Sequence, residues 1–200
     1  MHEANRNCGR SLTTSDAACN PATLDHPPPR APAIIATVQI RDATPADWPA
    51  IWPFFHRIVA AGETYSYDRD MDEPTGRGIW MVEPPGRVSV AEDETDGAIL
   101  GSSSMYPNRG GPGSHVASAS FMVDPERSGR GVGRALGEDM VAWARASGFR
   151  AIQFNAVVES NANAVALWRS LGFEVIGTVP AAFAHPREGD VGLHVMHRFL

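Results

Sequence analysis

"PERSGRGVGRALGEDM", Pro125 to Met140, is the stretch that decides the fold. Three glycines, Gly129, Gly131 and Gly133, alternate with arginines and a valine, and Val132, Leu136, Met140 and Trp143 then recur at helical spacing up to Gly148. A helix start leaves its first N–H groups unpaired and presents the positive end of the helix dipole, so it receives anions. Glycines there remove the side chains that would keep a phosphate oxygen from the backbone. Arg127, Arg130 and Arg134 add long-range attraction, and the expected ligand is a phosphate or pyrophosphate. On the glycines alone, a bare turn with surface arginines is the competing reading.

Two common phosphate loops do not fit. No GK[ST] ending exists, and every basic residue other than histidine is arginine, which also excludes a lysine nucleophile. A dinucleotide fingerprint would follow the first strand, with an acidic residue about twenty positions on. This loop comes late, after strands that read as antiparallel, with the spacing G-x-G-x-G.

Upstream, Thr37 to Arg41 reads as a strand, and Thr44 and Pro45 open a helix whose apolar stripe is Ile51, Phe54, Phe55, Ile58 and Val59, ending before Gly62. Pro49 and Pro53 predict that it is kinked or starts late. A polar aromatic loop, Glu63 to Met71, precedes a short helix near Pro74 to Met81. "RVSVAED" and "AILGSSSMYP" are two strands joined by an acidic turn, and "HVASASFMV" is a third, ended by Asp124-Pro125. Downstream, "FRAIQFNAVV" is a strand and Asn161 caps "NANAVALWRSLGF", whose apolar face is Ala164, Leu167, Trp168 and Leu171. "EVIGTVP" and "GLHVMHRFL" complete the sheet as antiparallel partners. The order predicts a single α/β domain with a mixed, mainly antiparallel sheet over 37–200. Residues 1–36, aperiodic and ending near "HPPPRAPA", predict a disordered extension.

At 200 residues the chain can bury a core without metals or disulfides. Its formal charge of −6 argues against a nucleic-acid partner. No apolar run reaches the roughly 18 residues of a membrane span, and the N-terminus lacks the apolar core of a secretory signal. Cys8 and Cys19 are the only thiols, so the main body needs no oxidising compartment. A cytoplasmic protein without membrane association or metal is expected.

"FMVDPERSGRGVGRAL", followed some thirty residues later by "NANAVALWRSLGF", resembles the GNAT superfamily of acyl-CoA-dependent N-acetyltransferases. The first segment is similar to its pyrophosphate loop (Q/R-x-x-G-x-G/A), with Ser128 at the Q/R position. The second is similar to its N-x-x-A-x-x-L-Y-x-x-x-GF helix, with Trp168 at the tyrosine. The resemblance implies a sheet whose fourth and fifth strands splay apart to hold acetyl-CoA. It implies that the backbone of Phe121, Met122 and Val123 holds the pantetheine amides. The N–H groups of Ser128, Gly129, Arg130, Gly131, Val132, Gly133 and Arg134 would hold the pyrophosphate. Asn161 would reach the pantetheine arm, a role that coexists with a plain helix cap. Relatives of this kind are often homodimers.

The resemblance further implies transfer of an acetyl group to an amine by direct attack, which needs an amine without its proton, support for the carbonyl oxygen and a stabilised thiolate. Many members use the helix tyrosine as the acid. An indole does not ionise usefully, so Trp168 is expected to pack against the sheet and cofactor. "QFNAVVESNANAVALWRSLGF" is similar to the branch that includes yeast azetidine-2-carboxylate acetyltransferase, which acetylates small amines such as proline analogues. Its strand asparagine matches Asn155, and a second one falls at Ser118, where only a hydroxyl remains. The resemblance implies a part in catalysis or substrate placement for Asn155; the residue follows Phe154 in a strand that reads as core, so a buried amide is expected, with placement near the thioester and plain sheet-edge pairing both open. Tyr65, Tyr67, Glu63 and His185 are candidates for the amine pocket; rim packing for the tyrosines and an ordinary loop position for the histidine stay open. The function expected is N-acetylation of a small metabolite or amino-acid-like amine, and the alternative is a non-catalytic acyl-CoA-binding module.

Overall fold

The computed structural model describes residues 38–200. The expected extension over 1–36, Thr37 and both cysteines lie outside the described residues. The first strand, β1 (Val38–Asp42), leads through a 3-10 turn at Pro45–Asp47 into α1 (Trp48–Ala61). The helix starts late, as its prolines predict. The Asp47 carboxylate accepts from the Thr44 N–H at 2.7 Å and from Arg41 Nη2 at 2.7 Å, and fixes the entry. Ile51, Phe54, Phe55 and Val59 are buried in one stripe, and Gly62 closes the helix in the left-handed region at φ +67°.

The remaining elements are α2 (Glu73–Trp80), β2 (Arg87–Asp93), β3 (Ile99–Pro107), β4 (Val116–Val123), α3 (Val132–Ala146), β5 (Ala151–Val158), α4 (Ala162–Ser170), β6 (Glu174–His185) and β7 (Gly189–Phe199). They form one seven-stranded sheet in the order β1-β2-β3-β4-β5-β7-β6. Every neighbouring pair is antiparallel except β4 and β5. The expected α/β domain with a mixed, mainly antiparallel sheet is therefore what the chain forms.

Alternation along the strands gives the sheet two apolar faces. On one, Ile51, Phe54, Phe55 and Trp80 of α1 and α2 pack over Val90 and Met122. On the other, Met140 and Ala144 of α3 and Trp168 of α4 meet Ala117, Ile152, Phe154 and Met196. Val165 joins the expected apolar face of α4 as a buried residue.

The site follows from one pairing. β4 and β5 are in register only at Val116↔Ala151 and Ala117↔Ile152. Beyond those two pairs the strands part, and their facing main-chain groups need other partners.

Candidate functional site

Where the strands part, a cleft of about 720 Å³ runs through the sheet. Tyr65 and Tyr67 of the α1–α2 loop line one side, Ser118 and Phe121 of β4 the middle, and Asn155, Asn161 and Trp168 the other. Ser128, at the head of the glycine loop, closes one end. Met122 and Val123 also line it. Thus residues far apart in sequence, from both motifs and from the aromatic loop, face one space.

The glycine loop forms the N-terminus of α3. Gly129 and Gly131 have φ of +83° and +77°, which non-glycine residues adopt at a cost, and a Cβ on either would stand in open space. Their bareness therefore serves backbone conformation and access rather than packing. Gly133 differs: a Cβ there would come within 3.3 Å of Leu167 in α4, so it lets two helices approach. Ala135 N–H closes the first helical turn on the Gly131 carbonyl at 3.0 Å. The N–H groups of that turn are the ones an α-helix leaves without internal partners.

The arginines are not a free cationic cluster. Arg130 pairs with the buried carboxylate of Asp93 at 2.6 Å and Arg127 with Asp96 at 3.3 Å, both at the β2–β3 turn. Arg134 donates to Ser170 Oγ at 2.9 Å and lies 3.6 Å from Glu138. Their charges tie the loop to its neighbours, and the expected long-range attraction is largely neutralised where it arises. The Asp93 carboxyl titrates lower than usual, chiefly through the Thr95 N–H, next through the Thr95 side chain and then through Arg130.

Along β4, the Phe121 N–H donates to the Tyr65 hydroxyl at 3.0 Å, and that hydroxyl donates to the Phe121 carbonyl at 2.5 Å. One side chain thus satisfies both main-chain groups of Phe121, one of the three residues expected to pair with an extended ligand. Burial pushes the Tyr65 hydroxyl's pKa well above the phenol range, and burial raises that of Tyr67 too, with Tyr106 adding to the effect. Both stay protonated at neutral pH and can donate hydrogen bonds.

Asn155 corrects the expectation of a buried amide: it is exposed. The register of β5 against β7 breaks between Phe154 and Val157, so Asn155 lies in a bulge, a device that re-aims side chains. Its Oδ1 accepts from Gln153 at 2.8 Å and its Nδ2 donates to Asn108 at 2.7 Å. Asn108, just past β3, was not singled out in the sequence; only its place between a strand and a glycine-rich turn could have drawn notice. Ser118 is buried and lines the cleft. Asn161 Oδ1 accepts from the Ala164 N–H at 3.1 Å, an N-cap. Trp168 packs against Phe121 and Phe154, with ring centroids 4.7 and 4.8 Å away.

Two candidates are placed elsewhere. His185 closes β6 and is buried, and its Nδ1 accepts from the N–H groups of Arg187 and Glu188, which holds the β6–β7 turn. Glu63 is ion-paired with Arg187. Neither is among the residues lining the cleft. Among the described residues, no group of three or more His, Cys, Asp or Glu could hold a metal ion, and no helix is long and apolar enough to cross a membrane.

Known proteins match this architecture. The model of the acetyltransferase (GNAT) family matches residues 46–173. The N-acetyltransferase aca1 of Schizosaccharomyces pombe is 29% identical over 142 residues, covering 64% of this chain and 68% of the relative. A GCN5-related N-acetyltransferase structure from Kribbella flavida is 64% identical with a TM-score of 0.79, over 82% of this chain and 98% of the other. A phosphinothricin acetyltransferase of the GNAT superfamily from Sinorhizobium meliloti, in complex with acetyl-CoA, is 27% identical with a TM-score of 0.69, over 82% and 89% of the two chains.

Proposed function

The chain belongs to the GNAT acetyltransferase family and is an acetyl-CoA-dependent acetyltransferase, and we propose that its acceptor is the amine of a small metabolite or amino-acid-like molecule, acetylated by direct attack. The observation that carries this reading is the parting of β4 and β5 after two residue pairs, which opens one cleft from the glycine loop to the amide of Asn155. Bound acetyl-CoA supplies the activated acetyl group.

The residues present fit that ligand. The bare main chain of Ser128 to Arg134 would take the diphosphate, since Gly129 and Gly131 keep side chains out of its way. Phe121, Met122 and Val123 would offer the β4 edge to the pantetheine arm, with Tyr65 giving up Phe121 as it enters. Asn161 and Trp168 line the same passage.

At the open end, Asn155 and Ser118 can hold the incoming amine by hydrogen bonds, and placing it in line accounts for much of the acceleration. With their phenols held protonated, Tyr65 and Tyr67 act as donors toward developing negative charge and not as bases. Among the described residues no Asp, Glu or His lines the cleft, so the amine loses its proton to solvent or arrives neutral. His185 and Glu63, tied to the β6–β7 turn and its arginine, take no part in that transfer.

Purified protein mixed with acetyl-CoA and a panel of small amines, with free thiol followed, tests the reading. Thiol release that depends on the amine is the expected result. Coenzyme binding without release for every amine would leave the non-catalytic binding module in its place.

A further inference from the structure

Asn155 lines the cleft and is exposed, yet its own strand does not hold it. β5 pairs with β4 only at Ala151 and Ile152, and its register against β7 breaks between Phe154 and Val157. Asn155 and Ala156 are therefore the residues of β5 without a registered partner on either side.

Two other amides hold the side chain instead. Gln153 Nε2 donates to Asn155 Oδ1 at 2.8 Å, and Asn155 Nδ2 donates to Asn108 Oδ1 at 2.7 Å. Neither Gln153 nor Asn108 is among the residues lining the cleft. Asn108 is itself anchored. Its N–H donates to the Val116 carbonyl at 2.8 Å, and Val116 pairs with Ala151 where β4 and β5 are still joined. Its carbonyl accepts from Arg109 Nη1 at 3.0 Å.

The two ends of a carboxamide are nearly the same shape and opposite in hydrogen bonding, so an unsupported one turns over freely. An amine that donates an N–H to Oδ1 keeps its lone pair for the thioester. Turning the amide over exchanges its ends, and the same amine then meets an N–H that competes for that lone pair.

Resting on the amine-acetylation reading above, we propose that Asn108 is a positioning residue for the reaction. With Gln153 it holds the Asn155 amide in one orientation, in which Oδ1 takes an N–H from the acceptor. The hydrogen bonds run in one direction, from Gln153 through Asn155 to Asn108. The amine nitrogen forms the N–C bond with its free pair, and the C–S bond breaks with its electrons leaving on the coenzyme's sulfur. The surplus proton passes to solvent.

Carboxylates read that direction, because they only accept hydrogen bonds. Asn108→Ala removes the acceptor and lowers kcat/KM for the amine by roughly fivefold, about the worth of one hydrogen bond, with KM for acetyl-CoA unchanged. Asn108→Asp restores the value to within about twofold of the wild type, since it accepts from Nδ2 as asparagine does. Gln153→Glu sets a carboxylate against Oδ1, turns the amide over and costs roughly tenfold or more. A general loss of packing would not tell these two carboxylates apart. Equal effects of Asn108→Asp and Gln153→Glu, the reverse order, or full kcat/KM in Asn108→Ala overturn the proposal. Absence of thiol release with every amine overturns the amine-acetylation reading instead. The Asn155 side-chain N–H signals, read by NMR of nitrogen-labelled protein, then decide. A hydrogen-bonded proton lost in Asn108→Ala and kept in Asn108→Asp upholds the hold on the amide, and any other pattern ends it.

Discussion

The two halves of the cleft are built from different materials. At the proposed coenzyme end, the groups offered to the ligand would be main-chain N–H donors, with side chains absent at Gly129 and Gly131 or paired elsewhere, as Arg127 and Arg130 are with Asp96 and Asp93. At the proposed acceptor end, the groups would be side chains brought from separate segments: Ser118, Asn155 and Asn108, which Asn155 bonds. A site made of backbone carries its signature in a few consecutive residues. A site made of side chains exists only after folding, and it can change its substrate without disturbing the coenzyme.

That contrast predicts large catalytic effects from acceptor-end substitutions at little cost in stability. Asn155→Ala is expected to lower kcat by about a hundredfold through misplacement of the acceptor. Because the side chain is exposed, stability should change by no more than about 0.5 kcal/mol. Steady-state kinetics beside thermal unfolding checks both, and an unchanged kcat/KM removes Asn155 from the mechanism.

Tyr65→Phe probes the seam between the halves. The change strips the hydroxyl from both main-chain groups of Phe121. Loss of that bridge should cost about 1 kcal/mol, a fall in Tm of roughly 2–4 °C. The KM for acetyl-CoA should nonetheless stay the same or drop, since the edge of β4 is then free. A severalfold rise in that KM would show that Tyr65 helps to hold the coenzyme rather than standing in for it.

The smallest effect concerns pH and lies outside the cleft. Arg41 holds the Asp47 carboxyl down at about 2, against an ordinary 3.8, chiefly by hydrogen bonding. A carboxyl lowered on folding contributes stability that is complete above its unfolded value and is lost as pH falls through its folded one. Asp47→Asn should therefore reduce the acid dependence of unfolding between about pH 4 and pH 2, and leave the coenzyme affinity at pH 7 unaltered.

The same contrast explains what could be read before the structure. The glycine loop, the Asn161 cap and the succession of strands and helices along the chain are local patterns, and all three stand where the spacing put them. Alternation places Asn155 in the core because a bulge leaves no mark on it; the break at Phe154–Val157 exists only against β7. Ending the sixth strand at "EVIGTVP" puts His185 in a loop, whereas β6 runs on to His185 with a register shift between Val179 and Phe183. The pairing of Arg130 with Asp93 spans 37 residues, and no local pattern announces it. By spacing Gly133 is an access glycine like its neighbours, and only the neighbouring helix shows it to be a packing one.

The central claim is that bare main chain, and not arginine charge, grips the diphosphate of coenzyme A. Calorimetric titration of coenzyme A into the wild type, Gly131→Val and Arg127→Ala tests it most directly. The valine should weaken binding by roughly tenfold or more, since it must adopt a left-handed backbone at φ +77°. The alanine, which breaks only an exposed ion pair, should change it by no more than about threefold. Full affinity in Gly131→Val, or a larger loss in Arg127→Ala, would contradict the account.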